Sequence, residues 1–295
     1  MTSEEKRGHL AAAFTIVLWG VTYISTKVLL RSFTPIEILI IRFLIGYAVL
    51  AVICPRPAKR GTFREELVFF MAGLSGVAGY YLLEHFALMY TQASNVGVII
   101  AAAPCFTVIA EFIAGIRDER AGRFFYIGFA AAMCGICLLS FGGAGADIHI
   151  AGDFLALLAA VAWSVYSVCS RIISKGDIST LQATRRIFFY GIVLFIPAMV
   201  IFDFRPALRD LLQPVNLGNL LYLGVGASAI CFVTWNFAVK AIGALRTSVY
   251  IYLTPVVTVI SSVIILHERI TPAAFAGILL TLGGLLISQM RKNRS

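Results

Sequence analysis

Apolar runs, each about as long as a bilayer crossing, follow one another along this chain with only short loops between them. Ten can be marked, at approximately 9–30, 35–54, 66–90, 93–116, 122–142, 152–173, 178–202, 217–240, 244–266 and 272–290. A hydrocarbon core takes about 20 apolar residues per helical crossing, and a helix satisfies its own backbone there. The breaks carry turn or charge signals: Pro35, CPRPAKRG at 54–61, IRDER at 116–120, GGAGAD at 142–147 and Thr271-Pro272. No loop is long enough to hold a soluble domain. Composition agrees, since 13% of the 295 residues are charged where a soluble domain carries about 25%. The expected fold class is therefore an all-α polytopic membrane protein with ten transmembrane helices. The opening MTSEEKRGH leads straight into the first run with no small-residue cleavage site after it, so a removed signal peptide is not expected.

The net charge of +9 does not call for nucleic acid, because the basic residues are scattered among short loops, where the positive-inside bias explains them. With the N-terminus inside, 18 Lys and Arg fall on the cytoplasmic side and 5 on the outer side, with Arg42 left inside the second helix. Both termini are expected in the cytoplasm, which requires an even number of crossings. All six cysteines (Cys54, Cys105, Cys134, Cys137, Cys169 and Cys231) fall in apolar segments, so no disulfide framework is implied. Cys134-x-x-Cys137 has no second ligand pair in view, and neither a metal nor a cofactor is expected.

The two halves repeat. At a shift of 144 residues Gly8 meets Gly152, Trp19 meets Trp163, Lys27 meets Arg171 and Arg42 meets Arg186. A shift of 151 places Phe86-Ala87 over Phe237-Ala238 and Pro104 over Pro255; a shift of 149 pairs Glu119-Arg120 with Glu268-Arg269, Gly128 with Gly277 and Gly135 with Gly284. Residues 1–146 read as one five-helix repeat and 147–295 as a second. Five is odd, so the second copy enters the membrane from the opposite face. Inverted repeats of this kind place a binding site near the midplane between the halves and let the protein open to either side.

These features together resemble the drug/metabolite transporter superfamily and its EamA-type exporters. The resemblance rests on the five-plus-five inverted repeat, a Trp in each first helix, a Pro in each fourth helix and "ER" opening each fifth. Within that group the chain is most similar to bacterial exporters of aromatic amino acids and related amphipathic metabolites. The resemblance implies an alternating-access carrier in the bacterial inner membrane that moves small metabolites out of the cytoplasm. A small-molecule substrate and the lipid bilayer are then its partners, no nucleic acid is involved, and a monomer suffices.

The residues point to a site without that resemblance. Thr15, Trp19, Thr22 and Thr26 share a face of helix one, and Trp163, Tyr166, Ser167 and Ser170 form the counterpart on helix six. Such stripes either line a cavity or pack against other helices. In GYYLLEHFALMY at 79–90, Glu84 and His85 sit deep in an apolar helix, where ionisable groups usually face the bundle interior. Glu84 beside Tyr80 and Tyr81 could hold an ammonium, helped by cation–π attraction, or serve as a structural acid. His85 points about 100° away and need not share that role. Trp235 and Asn236 are the counterparts of this pair in the second half. Tyr250, Thr254 and Thr258 share a face of helix nine, and Asn95 lies near the outer end of helix four. The expected substrate-binding set is Trp19, Tyr80, Tyr81, Glu84, His85, Asn95, Trp163, Tyr166, Trp235, Asn236, Tyr250 and Thr254. Pro104 and Pro255 are expected to kink helices four and nine mid-span, freeing the carbonyls of Ile100 and Ile251 and hinging the gates. Arg42 and Arg186 could serve anionic groups, but structural pairing or snorkelling is preferred for both.

Other classes fit less well. Gly73-Leu74-Ser75-Gly76 looks like the serine motif of intramembrane proteases, but His85 is about 15 Å of helix rise from Ser75, too far for proton transfer. His267 belongs to the other end of the membrane. No GxxxxGK[ST] loop marks an ATP-driven pump. An enzyme is not expected. A channel-like facilitator, or an exporter of organic cations or drugs, is the alternative.

Overall fold

The computed structural model of the chain describes residues 2–58, 61–90, 93–116, 121–141, 149–266 and 272–290. The N-terminal half forms α1 (Ser3–Leu29), α2 (Pro35–Ile53), α3 (Phe63–Tyr90), α4 in two segments (Ala93–Ile100 and Ala103–Ile113) and α5 (Arg123–Phe141). The second half forms α6 (Ile150–Ser174), α7 (Thr180–Ile201), a short turn at Leu208–Leu211 and α8 (Pro214–Ile242). It ends with α9, in three segments (Ala244–Ser248, Val249–Tyr252 and Leu253–Leu266), and α10 (Pro272–Ser288). Eight of these helices are long and apolar enough to cross a membrane, and the apolar stretches of α5 and α10 are shorter. There is no strand among the described residues. The Glu-Arg pairs at 119–120 and 268–269, and His267, lie outside the described residues.

Local chemistry sets where helices start. Thr2, Thr34 and Thr62 each accept a hydrogen bond from the backbone N–H of Glu5, Glu37 and Glu65, whose carboxylates bond back to the threonine N–H groups. These reciprocal caps satisfy donors that the first turn leaves open. α8 turns into α9 at Gly243, whose φ of 91° suits a residue without Cβ.

The helix pairings map onto themselves when the two halves are exchanged. α1 packs on α8 and α9 as α6 packs on α3 and α4, and α2 packs on α8 as α7 packs on α3. α2 meets its own counterpart α7, and α5 meets α10. The α5–α10 seam is built on small residues: a Cβ on Gly284 would meet the backbone of Ala132, and one on Gly135 would meet Thr281 and Gly277. With no hydrophobic drive between helices in lipid, such close backbone approach supplies the packing.

Two departures from helical regularity recur at equivalent places. α3 is π-helical over Leu74–Gly79 and α8 over Tyr222–Ile230, so the two stretches end at residues 151 apart. π-Bulges of this kind are frequent at functional sites. Both proline helices also lose α-helical regularity just ahead of the proline, where kinks are expected from the sequence. Pro104 stands in the first turn of the Ala103–Ile113 segment, after a turn at Ala101 and Ala102. Ahead of Pro255, α9 tightens to a 3₁₀ turn over Val249–Tyr252. At Pro104, in the first turn of its segment, no intrahelical N–H is lost, so starting a new helix there costs less than bending an old one. The Ala103 carbonyl beside the break accepts from Ser164 Oγ at 2.9 Å and Thr107 Oγ1 at 3.0 Å.

Candidate functional site

A largely apolar cavity of about 500 Å³ lies between the two halves. That is within the usual range for small-molecule sites, roughly 300–1,000 Å³. Its lining reaches Leu30, Pro35 and Met89, at the ends of their helices, so its mouth lies at the end of the bundle where α1 passes to α2. Inward it stops at an aromatic floor in mid-bundle. There the Trp19 and Trp163 rings meet edge-on with centroids 5.2 Å apart, and Trp235 lies beneath, 5.2 Å from Trp19 and 5.6 Å from Trp163. Tyr80 stands 4.9 Å from Trp163, and Phe232 packs against both upper indoles.

The floor is not symmetric in its hydrogen bonding. Trp19 Nε1 donates to the Ala227 carbonyl, in the π-helical part of α8, at 2.8 Å. The indole N–H groups of Trp163 and Trp235 are buried without a protein partner. Each such orphan costs about 1–3 kcal/mol, a debt that native structures tend to carry at functional places.

Three ionisable side chains line the cavity walls. Glu84 accepts a hydrogen bond from the Tyr80 hydroxyl at 3.1 Å. His85 Nδ1 is 2.8 Å from the Tyr81 carbonyl and only 4.0 Å from Glu84 Oε2. A carbonyl can only accept, so Nδ1 carries the hydrogen and a neutral ring presents Nε2 as an acceptor. Arg42 donates from Nε to Ser228 Oγ at 3.0 Å, and its guanidinium lies 4.8 Å from the Tyr81 ring centroid. The cavity thus combines a carboxylate, an imidazole and a guanidinium with aromatic walls.

Of the residues singled out from sequence, Trp19, Tyr80, Tyr81, Glu84, His85, Trp163 and Thr254 line this cavity, as does Pro255. Glu84 and His85 face the same space, although 100° apart on the helix, because the cavity wraps around this end of α3. The stripe on α1 divides: Trp19, Thr22 and Thr26 are at the cavity, whereas Thr15 is buried against Thr234 at 2.6 Å. On α6 only Trp163 reaches it. Pro104 is buried outside the lining. The side chain of Asn95 lies outside the described residues.

Tyr166, Trp235, Asn236 and Tyr250 sit on the far side of the floor. Asn236 Oδ1 accepts from Tyr166 Oη at 2.7 Å and Ser170 Oγ at 2.6 Å, and its Nδ2 donates to Thr184 Oγ1 at 3.0 Å. Nearer the chain terminus, His9 Nδ1 meets Tyr250 Oη at 2.8 Å, and Arg246 approaches Glu5 at 4.0 Å. Gly8 presses on α8, where a Cβ would meet Ala241 and Ile242. This end of the bundle is closed by polar contacts between α1, α6, α7, α8 and α9.

The sequence reading set Arg42 aside and missed Ser228. The signal for Arg42 was available: a charge in mid-segment is as costly as that of Glu84 and carries the same implication. Nothing in the sequence distinguishes Ser228 from other small polar residues of the bundle. Arg186, by contrast, is structurally paired, 3.3 Å from Glu66, as the sequence reading preferred. Ser75 Oγ donates to the Met71 carbonyl at 2.6 Å.

The sequence matches the description "EamA-like transporter family" twice, over residues 6–141 and 150–290. An "Uncharacterized transporter" of Archaeoglobus fulgidus is 26% identical, the alignment covering 97% of this chain and 98% of that protein. A "Probable terminal-alkyne amino-acid exporter" of Streptantibioticus cattleyicolor is 24% identical over 95% of this chain and 93% of its own. A solved crystal structure superimposes with a TM-score of 0.80 at 22% identity, covering 96% of this chain and 98% of the other, and shares the fold.

Proposed function

The chain belongs to the EamA-like transporter family, and from that premise we propose that it exports small amphipathic metabolites, amino acids with aromatic or apolar side chains, by alternating access. The observation that carries this reading is the cavity: it is large enough for one such molecule, opens at one end of the bundle and stops at the tryptophan floor. A continuous pore would instead suit a channel. The aromatic and aliphatic walls match an apolar side chain, and the charged and polar groups near Tyr80 and Tyr81 match a polar head. The amino-acid exporter among the relatives supports the same substrate class.

The protein sits in a bacterial inner membrane with both termini cytoplasmic, which makes this conformation the outward-open one. Release to the outside leaves through the mouth at Leu30 and Met89. Loading from the cytoplasm requires the contacts around Asn236, Tyr250 and Gly8 to part while the mouth closes. Exchange of the two halves' pairings gives the geometry for that change without unfolding either half.

The decisive measurement is counterflow in proteoliposomes. Vesicles loaded with unlabelled phenylalanine should transiently accumulate labelled phenylalanine, with saturable rates. Linear, non-saturating flux would replace the carrier with a facilitator. Because Glu84 stands beside Tyr80 and Tyr81, an organic cation is the second substrate class to assay; accelerated efflux of a cation but not of phenylalanine would transfer the assignment to it.

A further inference from the structure

Resting on the transport reading above, a further inference concerns which substrates the cavity takes. Arg42 lies in mid-α2, only 5% exposed, and its side chain runs inward to α8 rather than along its helix to the surface. The groups it touches are neutral, namely Ser228 Oγ, the Tyr81 side chain and the Phe43 ring at 5.5 Å, and the Glu84 carboxylate acts on it only through space. Among the described residues no carboxylate forms an ion pair with it. Glu84, the carboxylate of the same cavity, is instead bonded to Tyr80 and approached by His85.

The repeat supplies an internal control. Arg186 occupies the equivalent position 144 residues later, and there the charge is balanced. It pairs with Glu66 at 3.3 Å, donates to the Ala58 carbonyl and stacks over Phe69 at 4.9 Å. One register therefore holds an ion-paired arginine in the second half and, in the first, one without an ion pair among the described residues, and only the latter borders the cavity. A guanidinium removed from water without an ion pair is costly to keep and always charged. Its planar donor fork matches a carboxylate, and such charge-assisted pairs are the strong ones.

We infer that Arg42 holds an anionic group of the substrate, so that the cavity selects small molecules bearing a carboxylate beside an apolar body. For an amino acid this is the α-carboxylate, and the Glu84 end is left to the ammonium. Ser228, by fixing Nε, is the positioning residue that keeps the fork in the cavity.

Three probes sharing one aromatic ring test this: phenylalanine, 3-phenylpropionate (carboxylate only) and phenethylamine (ammonium only). Intrinsic fluorescence reads their binding to the purified full-length protein, because two of the chain's three tryptophans line the cavity and the third packs directly beneath them. Arg42→Gln should weaken 3-phenylpropionate and phenylalanine by about tenfold or more, while phenethylamine changes by less than about twofold. Undiminished 3-phenylpropionate binding in Arg42→Gln, or none in the wild type, overturns the assignment. Should Arg42→Gln fail to fold, Arg42→Lys carries the test, since it keeps a charge but loses the fork. A several-fold loss confined to the two carboxylates supports the inference, and equal effects on all three probes overturn it. The two readings fail separately. Arg42-dependent binding of 3-phenylpropionate without phenylalanine counterflow sinks the amino-acid reading alone. Undiminished phenylalanine counterflow by Arg42→Gln sinks the arginine assignment alone.

Discussion

Trp19 and Trp163 occupy equivalent positions in the two halves, 144 residues apart, and their rings touch edge to face at 5.2 Å. The two residues that the repeat pairs therefore meet where the halves face each other. The cavity ends there. Yet the two indoles are held differently, because Trp19 Nε1 bonds the Ala227 carbonyl and Trp163 Nε1 bonds nothing in the protein.

That difference predicts unequal responses to the same substitution. Trp19→Phe should lower the melting temperature, by the equivalent of about 1 kcal/mol for the lost hydrogen bond. Trp163→Phe gives up similar ring volume but no hydrogen bond and removes an unsatisfied donor, so it should lose less than Trp19→Phe. Thermal unfolding of the two variants in detergent checks this, and a larger loss for Trp163→Phe would contradict it.

The cavity assignment itself is tested by deletion. Reconstituted Trp163→Ala should export phenylalanine at less than about a tenth of the wild-type rate, since the floor against which an apolar side chain packs is gone. Wild-type rates would remove the cavity from the transport path.

Glu84→Gln keeps the Tyr80 contact but removes the charge that an ammonium would meet. Phenethylamine affinity should fall by about tenfold, and 3-phenylpropionate affinity should stay within about twofold of wild type. Titration by tryptophan fluorescence separates the two. Equal losses would assign Glu84 a structural role.

At the closed end, Asn236→Ala strands the Tyr166 and Ser170 hydroxyls, both of which donate to its Oδ1 in a fully buried setting. A loss on the order of 2–4 kcal/mol is expected from two unmet groups. Ser170→Ala, which removes one donor and leaves Asn236 bonded to Tyr166 and Thr184, should cost less than half as much. Comparing the midpoints of thermal denaturation decides it.

Access differs between the ends. In a cysteine-free background, Thr26→Cys at the cavity wall should react with a membrane-impermeant maleimide added to intact cells, and phenylalanine should slow the reaction. Ser174→Cys, on the other side of the floor, should react only after permeabilisation. Labelling of Ser174→Cys in intact cells would reverse the proposed orientation.

Much of this molecule is legible along the chain because lipid restricts what a backbone can do. Runs of about 20 apolar residues have to be helices, so α1 to α10 lie close to the segments read from sequence, with starts such as Thr34-Pro35 and Thr62 marked by their caps. The pairing of Trp19 with Trp163 and of Pro104 with Pro255 could likewise be seen without coordinates. Glu84 and His85 were conspicuous because ionisation in hydrocarbon is expensive.

What the tertiary structure decided is which side of the floor each polar residue faces. Tyr166 and Asn236 are a tyrosine and a polar partner like Tyr80 and Glu84, but the closed end consumes them in contacts with each other, while the open end leaves Glu84 and Arg42 at a cavity. Helical periodicity gives a residue its angle around its own helix and is blind to the tilt and depth at which the neighbours arrive. Arg42 and Arg186 are equivalent in the repeat; the Glu66 carboxylate, brought from another helix, makes one a structural ion pair, and Ser228 holds the other at the cavity.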